Sequence, residues 1–403
     1  MKDSSSERVI TGMNRFLVAF LARCILSTPF EVGATYRDEV AAWVPWFGGE
    51  TAARAAERQL DELDILYLFV FEVGADGSLV AKVDLDQGRW EDLLEEAEDE
   101  RVEVIPTIAW FEPAEIHAVL SDSSVRKRHI AAIEDLVDEY DFAGVDIDYE
   151  RKWARTSDYF IAFLDELEDA LGRDDLVCTL EARTPPEDLY RTIPDPLEYA
   201  NDYRGIDRYC DRVQIMAYDQ QRADISLNNR RRGVPYAPVA DEDWVEKVLE
   251  LALEDIDADK VFLGIPTYGR AWDVTVAPEW YRDYESVAAL NHDRIIELAE
   301  KYDADIGRTK GGEAVITYFP DDSPFFAFNR LTPPKDTPKG YEAAAVALYI
   351  ATMTGIEIPV RFVVWSDAAA VEEKTEIADY FELEGVSLFK LDGEEDPDIW
   401  DLF

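Results

Sequence analysis

Phe142-Ala143-Gly144-Val145-Asp146-Ile147-Asp148-Tyr149-Glu150 is the stretch on which the reading of this chain turns. Side chains of a strand alternate faces at about 3.3 Å per residue, so Asp146, Asp148 and Glu150 share one face about 7 Å apart. Val145, Ile147 and Tyr149 take the other. Seven further short runs rich in Val, Ile, Leu and aromatics lie at residues 41–47, 65–73, 102–110, 176–183, 212–218, 260–268 and 385–391. Amphipathic stretches of helical period, such as 90–100, 125–140, 157–171, 242–253 and 368–381, separate them. Eight strands alternating with helices predict a parallel sheet, and eight closes an α/β (β/α)8 TIM barrel. The three acids then point into the barrel, and Glu150 reaches its C-terminal face, where active sites sit.

One interval is too long for a single helix and its loops: residues 268–385. It holds a strand at 314–319, a turn at Pro320-Asp321-Asp322-Ser323-Pro324, an apolar segment at 325–328, a helix at 341–353 and a strand at 361–365. We read residues 271–366 as a small α+β insertion between the seventh strand and its helix. The barrel comprises 39–270 and 367–403, and residues 1–38 form an N-terminal extension. With no Gly/Ser linker, the insertion is expected to pack on the barrel as one wall of a groove.

The chain has 403 residues, with 87 Asp and Glu against 40 Lys and Arg, for a net charge of −47. Phosphate binding needs a basic patch, so a nucleic-acid binder is excluded. With 47% apolar and 12% aromatic residues the chain can still bury a core. Acids run along the whole sequence, and 12 Lys stand against 28 Arg. Such self-repulsion is screened at molar salt, where the Debye length is about 3 Å, so the composition reads as halophilic. Cys24, Cys178 and Cys210 are odd in number without paired spacing and are read as packing residues. Three histidines argue against a His-based metal centre, and no metal or cofactor is expected. Residues 16–26 are apolar but for Arg23, which reads as a packed helix in preference to a cleaved signal. No run of 18 apolar residues predicts a membrane span. An extracellular or surface setting is the favoured localisation, with the cytoplasm as the alternative because no convincing signal segment is seen.

Acid-x-acid-x-acid also occurs at 96/98/100, 255/257/259 and 392/394/396, so spacing alone carries nothing. Only 146/148/150 alternates with Val, Ile and Tyr at a strand end. Burying three carboxylates together is costly, because desolvation and like charges each disfavour ionisation, and that cost points to chemistry.

The segment Gly144 to Glu150 resembles the DGxDxDxE signature of glycoside hydrolase family 18, the chitinase and endo-N-acetylglucosaminidase family. Gln214-Ile215-Met216-Ala217-Tyr218-Asp219 is similar to its QxMxYD strand, and Leu263-Gly264-Ile265-Pro266-Thr267-Tyr268-Gly269-Arg270 to its GxPxYGR strand. Val363-Val364-Trp365-Ser366-Asp367, then Gly385-Val386-Ser387-Leu388, resemble its closing strands. The resemblance implies Glu150 as general acid, with the substrate's own 2-acetamido oxygen as nucleophile. Asp148 would orient the acetamide, Tyr218 would hold its oxygen, Asp219 would contact the sugar and Asp146 would share a proton with Asp148. Met216 and Gln214 belong to the same motif as supporting residues. The implied partner is an oligo- or polysaccharide containing N-acetylglucosamine, cleaved at β-1,4 linkages.

Two positions and one segment depart from the pattern. Residue 143 is Ala where the longer signature has Asp, Phe389 stands where the family has a Trp floor, and Pro106-Thr107-Ile108-Ala109-Trp110 lacks Ser-x-Gly-Gly. These changes argue for a substrate other than crystalline chitin, or for weaker turnover. Trp46, Phe47, Phe71, Trp110, Tyr268 and Trp272 are candidate sugar platforms, each competing with a core role. Arg270 is a candidate sugar contact or ion-pair partner, and Glu181 with Arg183 is read as an internal ion pair. A non-catalytic carbohydrate-binding protein on the same scaffold is the alternative to the enzyme.

Overall fold

The computed structural model describes residues 38–403. The chain lays down β1 (Glu39–Pro45), β2 (Ile65–Val73), β3 (Leu79–Ala81), β4 (Glu103–Trp110), β5 (Gly144–Tyr149), β6 (Asp175–Glu181), β7 (Arg212–Met216) and β8 (Val261–Pro266). Then come β9 (Gly269–Ala277), β10 (Trp280–Leu290), β11 (Gly307–Arg308), β12 (Ala314–Tyr318), β13 (Ile358–Trp365) and β14 (Gly385–Phe389). Eight parallel strands, in the order β1-β2-β4-β5-β6-β7-β8-β14, close into a barrel when β14 pairs with β1. Every one of the eight apolar runs forms one of these strands. The short β3 folds back antiparallel on β2.

Helices cover the outside because each carries an apolar stripe at 3.6-residue spacing. The Ser123–Tyr140 helix starts where the Asp122 carboxylate accepts the Ser124 and Val125 amides, and it buries Ile130, Ile133, Leu136 and Val137. The Ser157–Leu171 helix buries Phe160, Phe163, Leu164 and Leu167. Each such side chain contributes about 1.5–3 kcal/mol. Inside, Ala41, Trp43, Ile65, Tyr67, Ile105, Val177 and Phe262 fill the barrel, with Ala143 against them. Glycine is required at 144, because a Cβ there would lie 2.1 Å from the Asp175 carbonyl oxygen of β6.

The second sheet is antiparallel, ordered β10-β9-β13-β12-β11. It leaves the barrel two residues after β8 and returns through β13, which pairs with β9 from Gly269↔Trp365 outward. The Glu342–Thr354 helix covers one face over Trp272, Val274, Phe362 and Val364. The insertion therefore sits between the seventh barrel strand and the Ala368–Phe381 helix, whose N-terminus is capped by Asp367.

One expectation is corrected. Cys178 and Cys210 form a disulfide, their Cα atoms 6.1 Å apart and both side chains buried. They are 32 residues apart in sequence, but β6 and β7 are barrel neighbours, with Cys178 in register with Val213. Cys24 and the apolar run at 16–26 lie outside the described residues.

Candidate active site

Strand β5 carries the site. Asp146 and Asp148 point inward and are buried, at 0% and 3% exposure, while Tyr149 packs outward against the helices. Asp146 is caged by neutral donors from three other barrel strands, β1, β4 and β6. The Trp43 indole donates to Oδ2 at 3.3 Å, Thr107 to Oδ2 at 2.7 Å and Thr179 to Oδ1 at 2.7 Å. Burial pushes its pKa up to about 6, against those three hydrogen bonds. Ser387 of β14 donates to Gln214 of β7, a second buried polar contact inside the barrel.

Asp148 is held well above the usual carboxylate range, first by burial and then by the charges of Glu150 and Asp146. Its Oδ1 is buried without a hydrogen-bond partner among the described residues. Glu150 follows the strand, half-buried, its amide donating to the Trp110 carbonyl at 2.9 Å. Burial raises its pKa, Glu181 and Asp219 add to the rise, and Arg151 and Lys152 oppose it. A half-buried carboxyl biased toward its protonated form beside a buried second carboxyl has the makings of a proton donor.

An aromatic cluster adjoins these acids. The Phe389 ring stacks on Tyr218, with centroids 5.5 Å apart, and meets Trp43, Phe69 and Tyr268 edge-on at 5.9–6.2 Å. Thr267 fixes the backbone beneath it: its amide donates to the Phe389 carbonyl and its hydroxyl to the Lys390 carbonyl. Gly264 leaves room for Tyr218, since a Cβ there would come within 3.2 Å of that ring. Burial raises the Tyr218 pKa well above its ordinary value, with Tyr268, Asp148, Glu150 and Asp219 adding to it, so the phenol stays protonated. Asp219, in a left-handed backbone conformation at φ 55°, receives a bidentate pair from Arg270 at 2.9 and 2.5 Å. Met216 ends β7, half-buried, two residues before Tyr218.

A profile of the glycosyl hydrolases family 18 matches residues 44–394. The chain belongs to that family. Among curated relatives, a Bacillus subtilis strain 168 protein described as a sporulation-specific glycosylase, YdhD, is 29% identical over 200 residues. That match covers 50% of this chain and 43% of YdhD, so the chain spans less than half of that relative's length. Among solved structures, the Bacillus cereus spore cortex-lytic enzyme SleL superposes with a TM-score of 0.66 at 19% identity, covering 92% of this chain and 74% of that one. A chitinase from Chromobacterium violaceum gives 0.66 at 20% identity, covering 91% and 98%. Both share the fold.

Not every anticipated site residue of this family 18 chain reaches the barrel mouth. Trp110 is 2% exposed on the outer side of β4, edge-on to Tyr149 at 5.4 Å and against His129. It belongs to the strand–helix layer, because its register partner is the outward-facing Tyr149. Trp272 and Phe71 are likewise buried, in the insertion core and the main core. Trp46 stays at the end of β1, but the Lys82 ammonium lies 4.9 Å over its ring. The Glu181–Arg183 ion pair is not formed. Glu181 instead accepts the Arg151 amide, and the Arg183 guanidinium stacks on Tyr199 and Tyr203 at 4.2 and 3.9 Å. Asp146 makes no hydrogen bond to Asp148, its oxygens being taken by Trp43, Thr107 and Thr179. Sequence alone does not single out these three partners, although Thr107 and Thr179 lie at inward positions of their strands. Among the described residues no group of His, Cys, Asp and Glu is arranged to hold a metal ion. Nor is any helix there long and apolar enough to cross a membrane.

Proposed function

We propose that this family 18 chain is a glycosidase that cleaves β-1,4 linkages in N-acetylglucosamine-containing glycans by substrate-assisted retaining catalysis. Glu150 protonates the glycosidic oxygen. The 2-acetamido oxygen of the sugar attacks the anomeric carbon, the bond to the leaving group breaks, and a cyclic oxazolinium ion forms. Asp148 orients the acetamide N–H and balances that positive charge, while the Tyr218 hydroxyl steadies the acetamide oxygen. Water activated by the Glu150 carboxylate then opens the ring with retention. The observation that carries this reading is the placement of Asp148 and Glu150 on one inward face beside the Tyr218–Phe389 stack, with Glu150 biased toward the protonated form that a proton donor needs.

Phe389 favours a second reading, a carbohydrate-binding protein with little turnover, because a six-membered ring offers a sugar less stacking area than an indole. Hydrolysis of N-acetylglucosamine oligomers and N-glycans in molar KCl, by wild type and Glu150→Gln, separates the two. Turnover in wild type that disappears in the variant supports the enzyme. Binding without turnover in both supports the alternative. A disulfide between Cys178 and Cys210 supports an oxidising, extracellular or surface setting.

A further inference from the structure

Directly after Glu150 the chain makes a sharp turn whose geometry is held by two polar contacts. Arg151 takes a left-handed conformation, φ 56°, with its amide donating to Glu181 at 3.1 Å. Lys152 then turns inward. Its side chain is buried, at 7% exposure, its ammonium donates to the Tyr149 carbonyl and lies 4.3 Å from the centroid of the Phe160 ring. None of the ion pairs among the described residues includes it. A buried ammonium without a directly paired carboxylate is costly, and burying a lysine stem needs no charge at its tip. The compensating charges around this one are Glu181 on β6, Asp148 on β5 and Glu150 just after β5.

We propose that Lys152 is a positioning residue for the Glu150 proton donor: it grips the Tyr149–Glu150 peptide through the Tyr149 carbonyl and supplies a fixed positive charge behind the Asp148 and Glu150 carboxyls. The assignment rests on the hydrolase reading. Without that charge, Asp148 and Glu150 would each be driven further toward protonation, and Asp148 would lose the ionised form that balances the oxazolinium ion. The charged groups facing the ammonium are Asp148, Glu150 and Glu181, with the exposed Arg151 beside Glu150; the Ser157–Leu171 helix offers Phe160. Burial brings the Lys152 pKa down to about 8, so the cation is present through neutral pH and lost above it.

The test compares wild type, Lys152→Met and Lys152→Arg by kcat and kcat/KM on N-acetylglucosamine oligomers from pH 4 to 9. Loss of the cation is expected to move both limbs of the Lys152→Met profile upward by about one pH unit, with Lys152→Arg returning them to wild-type positions. Unmoved limbs in Lys152→Met, with only a lower melting temperature, overturn the assignment. Titration of the Glu150 carboxyl carbon by NMR, assigned with Glu150→Gln, gives a readout independent of turnover. In wild type that carbon must show a second inflection near pH 8, as Lys152 deprotonates, and its absence overturns the proposal however the variants fold. A wild type that hydrolyses no N-acetylated glycan while this inflection is present sinks the hydrolase reading alone.

Discussion

Asp146 offers a quantitative test of the caged carboxyl. Its carboxyl is fully enclosed, and burial moves its pKa from 3.8 to about 6 despite donation from Trp43, Thr107 and Thr179. The fold thus favours the protonated form. The resulting stability is present below pH 3.8 and lost as pH rises through about 6. That interval is worth about 3 kcal/mol. Asp146→Asn keeps the size of the side chain, removes the ionisation, and leaves the two threonine hydroxyls free to turn and accept from the new amide. The stability of the variant relative to wild type should therefore rise by about 3 kcal/mol between pH 3.5 and pH 7.5. Neutralising Asp146 also removes one of the charges acting on Asp148, which adds in the same direction. Urea unfolding at the two pH values, at fixed molar KCl, reads the difference. A gap between variant and wild type that is the same at both pH values would mean that Asp146 is not buried as an anion, and would refute the reasoning.

Three further outcomes follow from particular contacts. Replacing Cys178 and Cys210 by alanine, or reducing the disulfide, should cost about 3–4 kcal/mol for a bridge closing this loop, read as a lower urea midpoint that dithiothreitol no longer shifts in the double variant. Arg270→Met frees Asp219 from its bidentate partner, so kcat/KM should fall roughly tenfold or more with little change in melting temperature, given that such part-exposed pairs contribute about 1 kcal/mol or less to stability. With a net charge of −47, the melting temperature should rise from dilute buffer to molar KCl, and an unchanged value would reject the halophilic reading.

The barrel was legible because its strands are buried on both faces and read as apolar runs between amphipathic helices. β5 stood out because carboxylates interrupt such a run with period two. Other features depended on contacts between distant residues. β10 is mostly exposed, and its mixed sequence Trp280–Leu290 carries no clean alternation, so the β9–β10 hairpin left no signal. The Cys178–Cys210 bridge became visible only once β6 and β7 were neighbours. Trp110 could have been placed correctly, since the alternation that turns Tyr149 outward also applies to its register partner. Lys152 was hidden by its type: a lysine after an acidic strand reads as solvated, and its burial against Phe160 is a tertiary fact.

The stereochemistry of the first-formed product tests the central claim most directly. Proton NMR of an N-acetylglucosamine oligomer within the first turnovers of wild type reads the new anomeric centre before mutarotation. Catalysis through the substrate's acetamide predicts the β anomer. An α anomer would mean direct displacement by water, and would contradict the roles assigned to Glu150, Asp148 and Tyr218.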